Sequence, residues 1–269
     1  MKTFLRLAFL PIALFVLFDA CTLQDHIPSL QEPGCQLRTM TLTAKSSFGE
    51  RLLKDDILEV DGKQIPIGKE RSYEYTYDSQ NRLIQTHYLT YTGSSANQRI
   101  TFDYGPNSVT TKMYNYGSPT PDLEETLPLN AQGLLQKPEL FYDSDGYLVA
   151  DTTIYGPTSY TISGGNIVRM ERREAFKGPN GPLTEVQTFE YDVTKLNTPN
   201  RGPYKGKSSR NLPIRQTLII YDGVNPTATF VYEFNYVFDE HGRVIRSYYP
   251  FDSYGTTHYQ ISDYSYTCQ

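Results

Sequence analysis

The sequence predicts an all-β fold: an antiparallel meander of about 12–14 strands that curls into a single sheet or wide barrel-like wrap. Three observations carry this. Aromatic residues alternate with polar ones at a period of two, as in Tyr73, Tyr75 and Tyr77 around Glu74 and Thr76, and from Phe230 to Phe238. A turn motif recurs along the chain, and no apolar stripe of helical period reaches convincing length. The 23 Tyr and 13 Phe, with no Trp, require rings with hydroxyls to do much of the burial. A charged fraction of 20% with 13% aromatics argues against disorder.

Residues 1–20 read as a signal peptide. Lys2 and Arg6 precede an apolar run from Leu7 to Phe18, about twelve residues and shorter than the roughly 20 of a spanning helix. The run ends at Leu17-Phe18-Asp19-Ala20-Cys21, which resembles a bacterial lipobox. The resemblance implies that Cys21 is lipidated and becomes the mature N-terminus. The other reading is a conventional signal peptide with an incidental Cys21. Residues 21–34 then form the lipidated cysteine and a flexible tether, and 35–269 a single domain. Net charge is −5, and losing Lys2, Arg6 and Asp19 leaves about −6, a poor basis for binding nucleic acid.

Cys35 opens the first strand-like segment and Cys268 closes the last. In an oxidising envelope the two are expected to form a disulfide joining the ends of the domain; two free thiols or a metal pair are the alternatives. Leu52–Glu59 is the nearest thing to a helix and equally fits a hairpin around Asp61-Gly62.

The turn motif is an aromatic, any residue, an aromatic, a polar residue, a short turn and an aliphatic pair. It runs from Tyr75 to Ile84, Phe141 to Val149, Tyr160 to Val168 and Tyr236 to Ile245. Partial copies start at Phe102, Leu129 and Phe189. Asp or Asn bonds its own turn backbone, and Gly or Asn supplies the positive φ. These residues resemble the YD-repeat group of Rhs-type shells. Together with the lipobox and the terminal Tyr264-Ser-Tyr266-Thr-Cys268, the chain looks more like a set of Gram-negative envelope lipoproteins of unknown function, whose fold is described as porin-like. The resemblance covers nearly all of residues 35–268. It implies an outer-membrane location, facing the periplasm or the surface, and no catalytic residues. A membrane-spanning porin is disfavoured by charges such as Glu74, Arg82 and Glu233 on the outer faces.

One segment stands apart. Val193 to Leu212 is rich in Gly, Pro and Asn, shows no clear strand, and holds Lys195, Arg201, Lys205, Lys207 and Arg210 without an acid. Such a loop reads first as a solvated segment protecting a sheet edge; the alternative is a site for an anionic group, phosphate or uronate, with Tyr204 stacking on a sugar ring or lying on the sheet. Inward Tyr rings line a wall for an amphiphile or, as favoured here, fill a core. The four His lie without metal-ligand spacing, and Asp143-Ser-Asp145-Gly146 reads as a turn rather than a calcium loop. The pairs Asp55/Asp56 and Glu124/Glu125 read as solvated acids rather than a glycosidase pair. No metal, cofactor or catalytic residue is expected. The expected function is non-enzymatic binding or scaffolding at the outer membrane, with an envelope glycan, lipid or protein as partner and the membrane reached through the anchor; a carrier or sensor of a hydrophobic or anionic envelope ligand is the alternative, and a glycan-active enzyme a lesser one.

Overall fold

The computed structural model describes residues 35–268 apart from 45–53, 92–96, 116, 154, 176, 179 and 254–255. The signal peptide, Cys21 and the tether lie outside the described residues, as do the side chains of Asp55 and Asp56. The strands are β1 (Cys35–Ala44), β2 (Lys54–Val60), β3 (Lys63–Tyr77), β4 (Leu83–Thr90), β5 (Gln98–Tyr104), β6 (Ser108–Asn115), β7 (Leu123–Pro128), β8 (Leu140–Tyr142) and β9 (Leu148–Thr153). They continue as β10 (Gly156–Ser163), β11 (Asn166–Arg173), β12 (Leu183–Leu196), β13 (Asn211–Asp222), β14 (Asn225–Glu233), β15 (Asn235–Phe238), β16 (Val244–Ser253) and β17 (Thr256–Cys268).

Every strand pairing is antiparallel, and the strands form two sheets rather than one. The first runs β15-β16-β17-β1-β3-β4-β5-β6-β7, with β2 added to β3. The second runs β14-β13-β12-β11-β10-β9-β8. Within each sheet the meander holds except that β1 pairs with β3, leaving β2 as an added arm, and that β17 returns to lie beside β1. That return is locked by the Cys35–Cys268 disulfide at the end of the β1–β17 ladder, where the two residues are direct partners.

The two sheets meet in one stretch of chain. β14 belongs to the second sheet and β15 to the first, with Phe234 alone between them. The period of two passes through unbroken: Tyr232, Phe234, Tyr236 and Phe238 are half-buried while Val231, Glu233, Asn235 and Val237 are exposed. At the other side β7 and β8 are free edges, so the curl does not close into a barrel. The seventeen strands exceed the expected number in part because this one pattern is split in two and because β8, only three residues long, is a strand of its own.

The inner face of the first sheet carries the main core, with Leu37, Met40, Tyr75, Leu83, Phe102 and Val109 buried together. A second cluster lies on the opposite face. Gln260, Ser262 and Tyr264 of β17 point inward, so Ile261 between them points out. It is fully buried there by Leu58, Ile65 and Ile67 of the β2–β3 hairpin. Leu52–Glu59 is therefore a hairpin arm from Lys54 onward, turning at Asp61 and Gly62, both at positive φ.

Four turns share one hydrogen-bond pattern. In the turn opened by Asp239, its Oδ1 accepts the backbone N–H of His241 (3.0 Å) and of Arg243 (2.9 Å). Asp78 does the same for Gln80 and Arg82, Asp143 for Asp145 and Tyr147, and Asn130 for Gln132 and Leu134. The fourth position is Asn81 (φ 61°) or a glycine such as Gly242 (φ 76°), because only such residues enter the left-handed region cheaply. Asp143 is thus committed to its turn. The Tyr160–Val168 copy differs, being a tight turn through Gly164 and Gly165 with Ser163 opposite Asn166. The Phe189 copy makes no turn, since Lys195 stands where the left-handed residue would be and β12 continues to Leu196.

Candidate binding cavity

The strand-free segment is shorter than the sequence suggests, running from 197 to 210. Asn211 explains the difference. Its buried amide donates to the carbonyls of Val193 and Lys195, both at 3.1 Å, and holds the end of β12 in extended form. Lys195 is therefore a strand residue, with Nζ 5.0 Å from the Phe238 ring centre. Arg210 is tied by its N–H to the Gly165 carbonyl at 2.9 Å. Neither lines the cavity described below.

Between these ends the chain forms a strap along the inside of the curl. Asn200 shapes it, donating to the Gly206 carbonyl (2.7 Å) and accepting from the Gly202 N–H (3.0 Å). A single 3-10 turn over Pro203–Lys205 drives Tyr204 into the core, where it is 8% exposed and its ring centre lies 5.6 Å from that of Phe102. The strap also braces both sides of the open seam. The Tyr204 carbonyl accepts the Leu135 N–H (2.9 Å) just after β7, and the Lys207 N–H donates to the Gly146 carbonyl (2.8 Å) between β8 and β9. This is not the course of a solvated loop shielding an edge.

A cavity of about 740 Å³ remains between the strap and the sheets, within the usual range for ligand pockets. Arg201, Lys205 and Lys207 of the strap line it, and among the described residues no Asp or Glu does. The facing wall is aromatic, with Tyr73, Tyr75, Tyr236, Tyr249 and Tyr264 among its members. The interior is therefore only partly a packed core. An inward tyrosine wall is legible in the sequence as the alternative to a packed core, but its assembly from β3, β15, β16 and β17 is not, because no local pattern encodes their proximity.

Burial raises the pKa of several hydroxyls of this wall. Burial pushes the Tyr204 hydroxyl up to about 12, with Tyr104 adding to the rise. Burial also raises Tyr75, and Arg201, hydrogen-bonded to it, offsets part of that. Tyr236 is raised by burial and by Tyr264, and it donates to the Pro213 carbonyl at 2.5 Å. Arg201 further donates to Met40 Sδ at 2.8 Å. A guanidinium has five N–H donors, more than these two partners use, and Arg201 lines the cavity.

The remaining candidates are placed elsewhere. Glu124 and Glu125 lie opposite Lys112 and Lys137, at 3.9 and 3.6 Å. His87 lies across the β3–β4 ladder from Glu74 at 3.7 Å, and His258 stacks on Phe251. Among the described residues no cluster of three or more His, Cys, Asp or Glu has the geometry of a metal site.

No family model matches the sequence, and no curated protein matches it. The YD-repeat resemblance therefore rests on the turn residues themselves. Among solved structures the chain is similar to a porin-like protein from Bacteroides uniformis ATCC 8492, at 12% identity and a TM-score of 0.43, over 87% of this chain and 99% of that one. A porin-like protein from Bacteroides vulgatus ATCC 8482 is similar at 13% identity and a TM-score of 0.32, over 84% and 97%.

Proposed function

We propose that this chain is a lipid-anchored, non-enzymatic binding protein of the Gram-negative outer membrane that takes an anionic envelope ligand into the curl. The observation that carries the reading is the cavity wall. Arg201, Lys205 and Lys207 line one space with a bank of tyrosine rings, and no Asp or Glu is among its described lining residues, in a chain of net charge −5. Of the two lysines, Lys205 keeps its ammonium near the lining ring of Tyr204 and Lys207 near Tyr147. Cations gathered against the sign of the whole chain favour an anionic partner. The lipobox-like Ala20-Cys21 supports the anchor.

Native mass spectrometry of the domain secreted through a periplasm tests the ligand. The expected result is a bound anionic mass that the triple change Arg201→Ala, Lys205→Ala, Lys207→Ala removes. A clean apo mass that stays apo after incubation with envelope extract overturns the ligand reading and leaves a scaffold for a protein partner. Turnover of an envelope polymer, lost on changing one acid, overturns the non-enzymatic reading. A Cys21→Ser protein that stays membrane-bound overturns the anchor.

A further inference from the structure

Most of the cavity wall can hydrogen-bond. Beyond the three cations and the tyrosines, the strap contributes Asn197, Thr198, Asn200 and Ser208, and the sheet contributes Thr86, Ser247, Gln260 and Ser262. Only Leu83, Ile100 and Leu212 are Leu, Ile or Val. Several of these groups are held by the protein itself, Tyr236 by Pro213, Asn200 by Gly206 and Ser247 by Tyr264, but the wall still offers an acyl chain few aliphatic side chains. Rings with polar tips, interleaved with amides and hydroxyls, match a ligand that has apolar ring faces and hydroxyl edges.

The rings also leave the cavity in a row. Tyr249, on the wall, lies 5.1 Å from Phe234 and 5.3 Å from Tyr232, both edge-on. Phe251 follows at 6.4 Å, and His258 stacks on Phe251 at 5.4 Å, its direct partner on the neighbouring strand. Ser247, Tyr249 and Phe251 alternate along β16, so all three face the inner side. The row therefore carries the wall past the cavity toward the β16–β17 hairpin.

We infer that the ligand is an acidic oligosaccharide several sugars long. Its carboxylate meets Arg201 and the strap lysines, and its further rings lie along Tyr249 and Phe251. This rests on the binding reading above and names its ligand class. A guanidinium with free donors pairs a carboxylate in two-pronged fashion, and a row of rings holds successive sugars without needing one sequence of them.

Isothermal titration of the purified protein with tetragalacturonate, monogalacturonate, neutral maltotetraose, palmitate and inorganic phosphate tests it. The tetramer is expected to bind at least about tenfold more tightly than the monomer or the neutral chain. Arg201→Gln is expected to weaken the tetramer about tenfold or more. Phe251→Ala is expected to weaken the tetramer and leave the monomer unchanged, while Phe251→Tyr, which keeps the ring, restores tetramer binding and guards against a folding artefact. Preferred binding of palmitate, or phosphate binding as tightly as the tetramer, overturns the oligosaccharide and leaves the anionic-ligand reading standing. Equal binding of monomer and tetramer overturns the extended row alone. No binding of any anion overturns both readings.

Discussion

The ring of Tyr204 lies against the ring of Phe102, so the tip of the strap is part of the core of the first sheet. The same residue's carbonyl accepts from Leu135, beside the open seam. The strap is therefore a structural brace as well as a wall of the cavity. Tyr204→Ala removes a buried ring and is expected to cost about 3 kcal/mol or more. Tyr204→Phe keeps the ring and is expected to cost less than about 1.5 kcal/mol. Urea denaturation of both variants checks this. Equal, small losses would mean that the strap rests on the curl without supporting it.

The four shared turns make an acid-sensitivity prediction. Backbone N–H of Arg82 holds the Asp78 carboxyl below its usual range, against a smaller desolvation effect. At Asp239 burial pushes up, but the N–H and guanidinium of Arg243 outweigh it and the net shift is downward. A carboxylate lowered by folding adds stability that is fully present above its unfolded value, near pH 4. That stability is lost as the pH falls through the lower folded value. Asn130 builds the same turn without a charge, so Asp78→Asn with Asp239→Asn is expected to keep the turns. The double variant is expected to lose less of its urea midpoint between pH 7 and pH 3 than the parent chain. Parallel losses would show that the acid response comes from other groups.

How far the sequence reads ahead depends on how local each feature is. Tyr73, Tyr75 and Tyr77, and the run from Tyr232 to Phe238, could be assigned to one face because a strand's alternation needs only near neighbours. The turns at Asp78, Asp143 and Asp239 were legible for the same reason, since an Asx side chain bonds its own backbone. The Phe189 copy misleads because its rings match the motif, whereas the turn is decided by the fourth position, where Lys195 would meet a steric penalty that Gly242 avoids and Asn81 reduces. The strap was found as a basic, strand-poor segment, but its inward course was not, because contacts such as Tyr204 with Phe102 and Arg201 with Met40 cross long stretches of chain. The cysteines at the two ends were the one long-range signal that sequence alone supplied.

That signal has an energetic consequence. The disulfide closes a loop across a sequence separation of 233 residues, so the chain-entropy model allows up to about 5 kcal/mol. Arg243 couples it to the last turn, donating to Asp239 Oδ2 at 2.7 Å and to Cys268 Sγ at 2.6 Å. Cys35→Ser with Cys268→Ser is expected to lower the denaturation midpoint while the β circular-dichroism signal persists, because the β1–β17 ladder remains. Mass spectrometry is expected to find the parent domain about 2 Da lighter before reduction, as one bridge removes two hydrogens. A midpoint unchanged by the double substitution would mean that the ladder alone fixes the two ends.

The strap also has a point where a single methyl group should act. Gly206 has φ 114°, and a Cβ there would lie 3.0 Å from Tyr142 Cε1 and 3.3 Å from the Gly146 carbonyl oxygen. One neighbour is a ring and the other is backbone between β8 and β9, so neither yields as a flexible side chain would. Gly206→Ala adds a left-handed strain to this crowding, and a cost of about 1–3 kcal/mol is expected. The strap is expected to lift from β8 and β9, with faster protease cleavage between 197 and 210 and faster amide exchange at Lys207, whose N–H donates to Gly146. Gly223, which has open space around it at φ 64°, is the control. Gly223→Ala places a methyl group at a milder positive φ with open space around it, so an effect at 206 no larger than at 223 would show that the strap's close approach does not require glycine at 206.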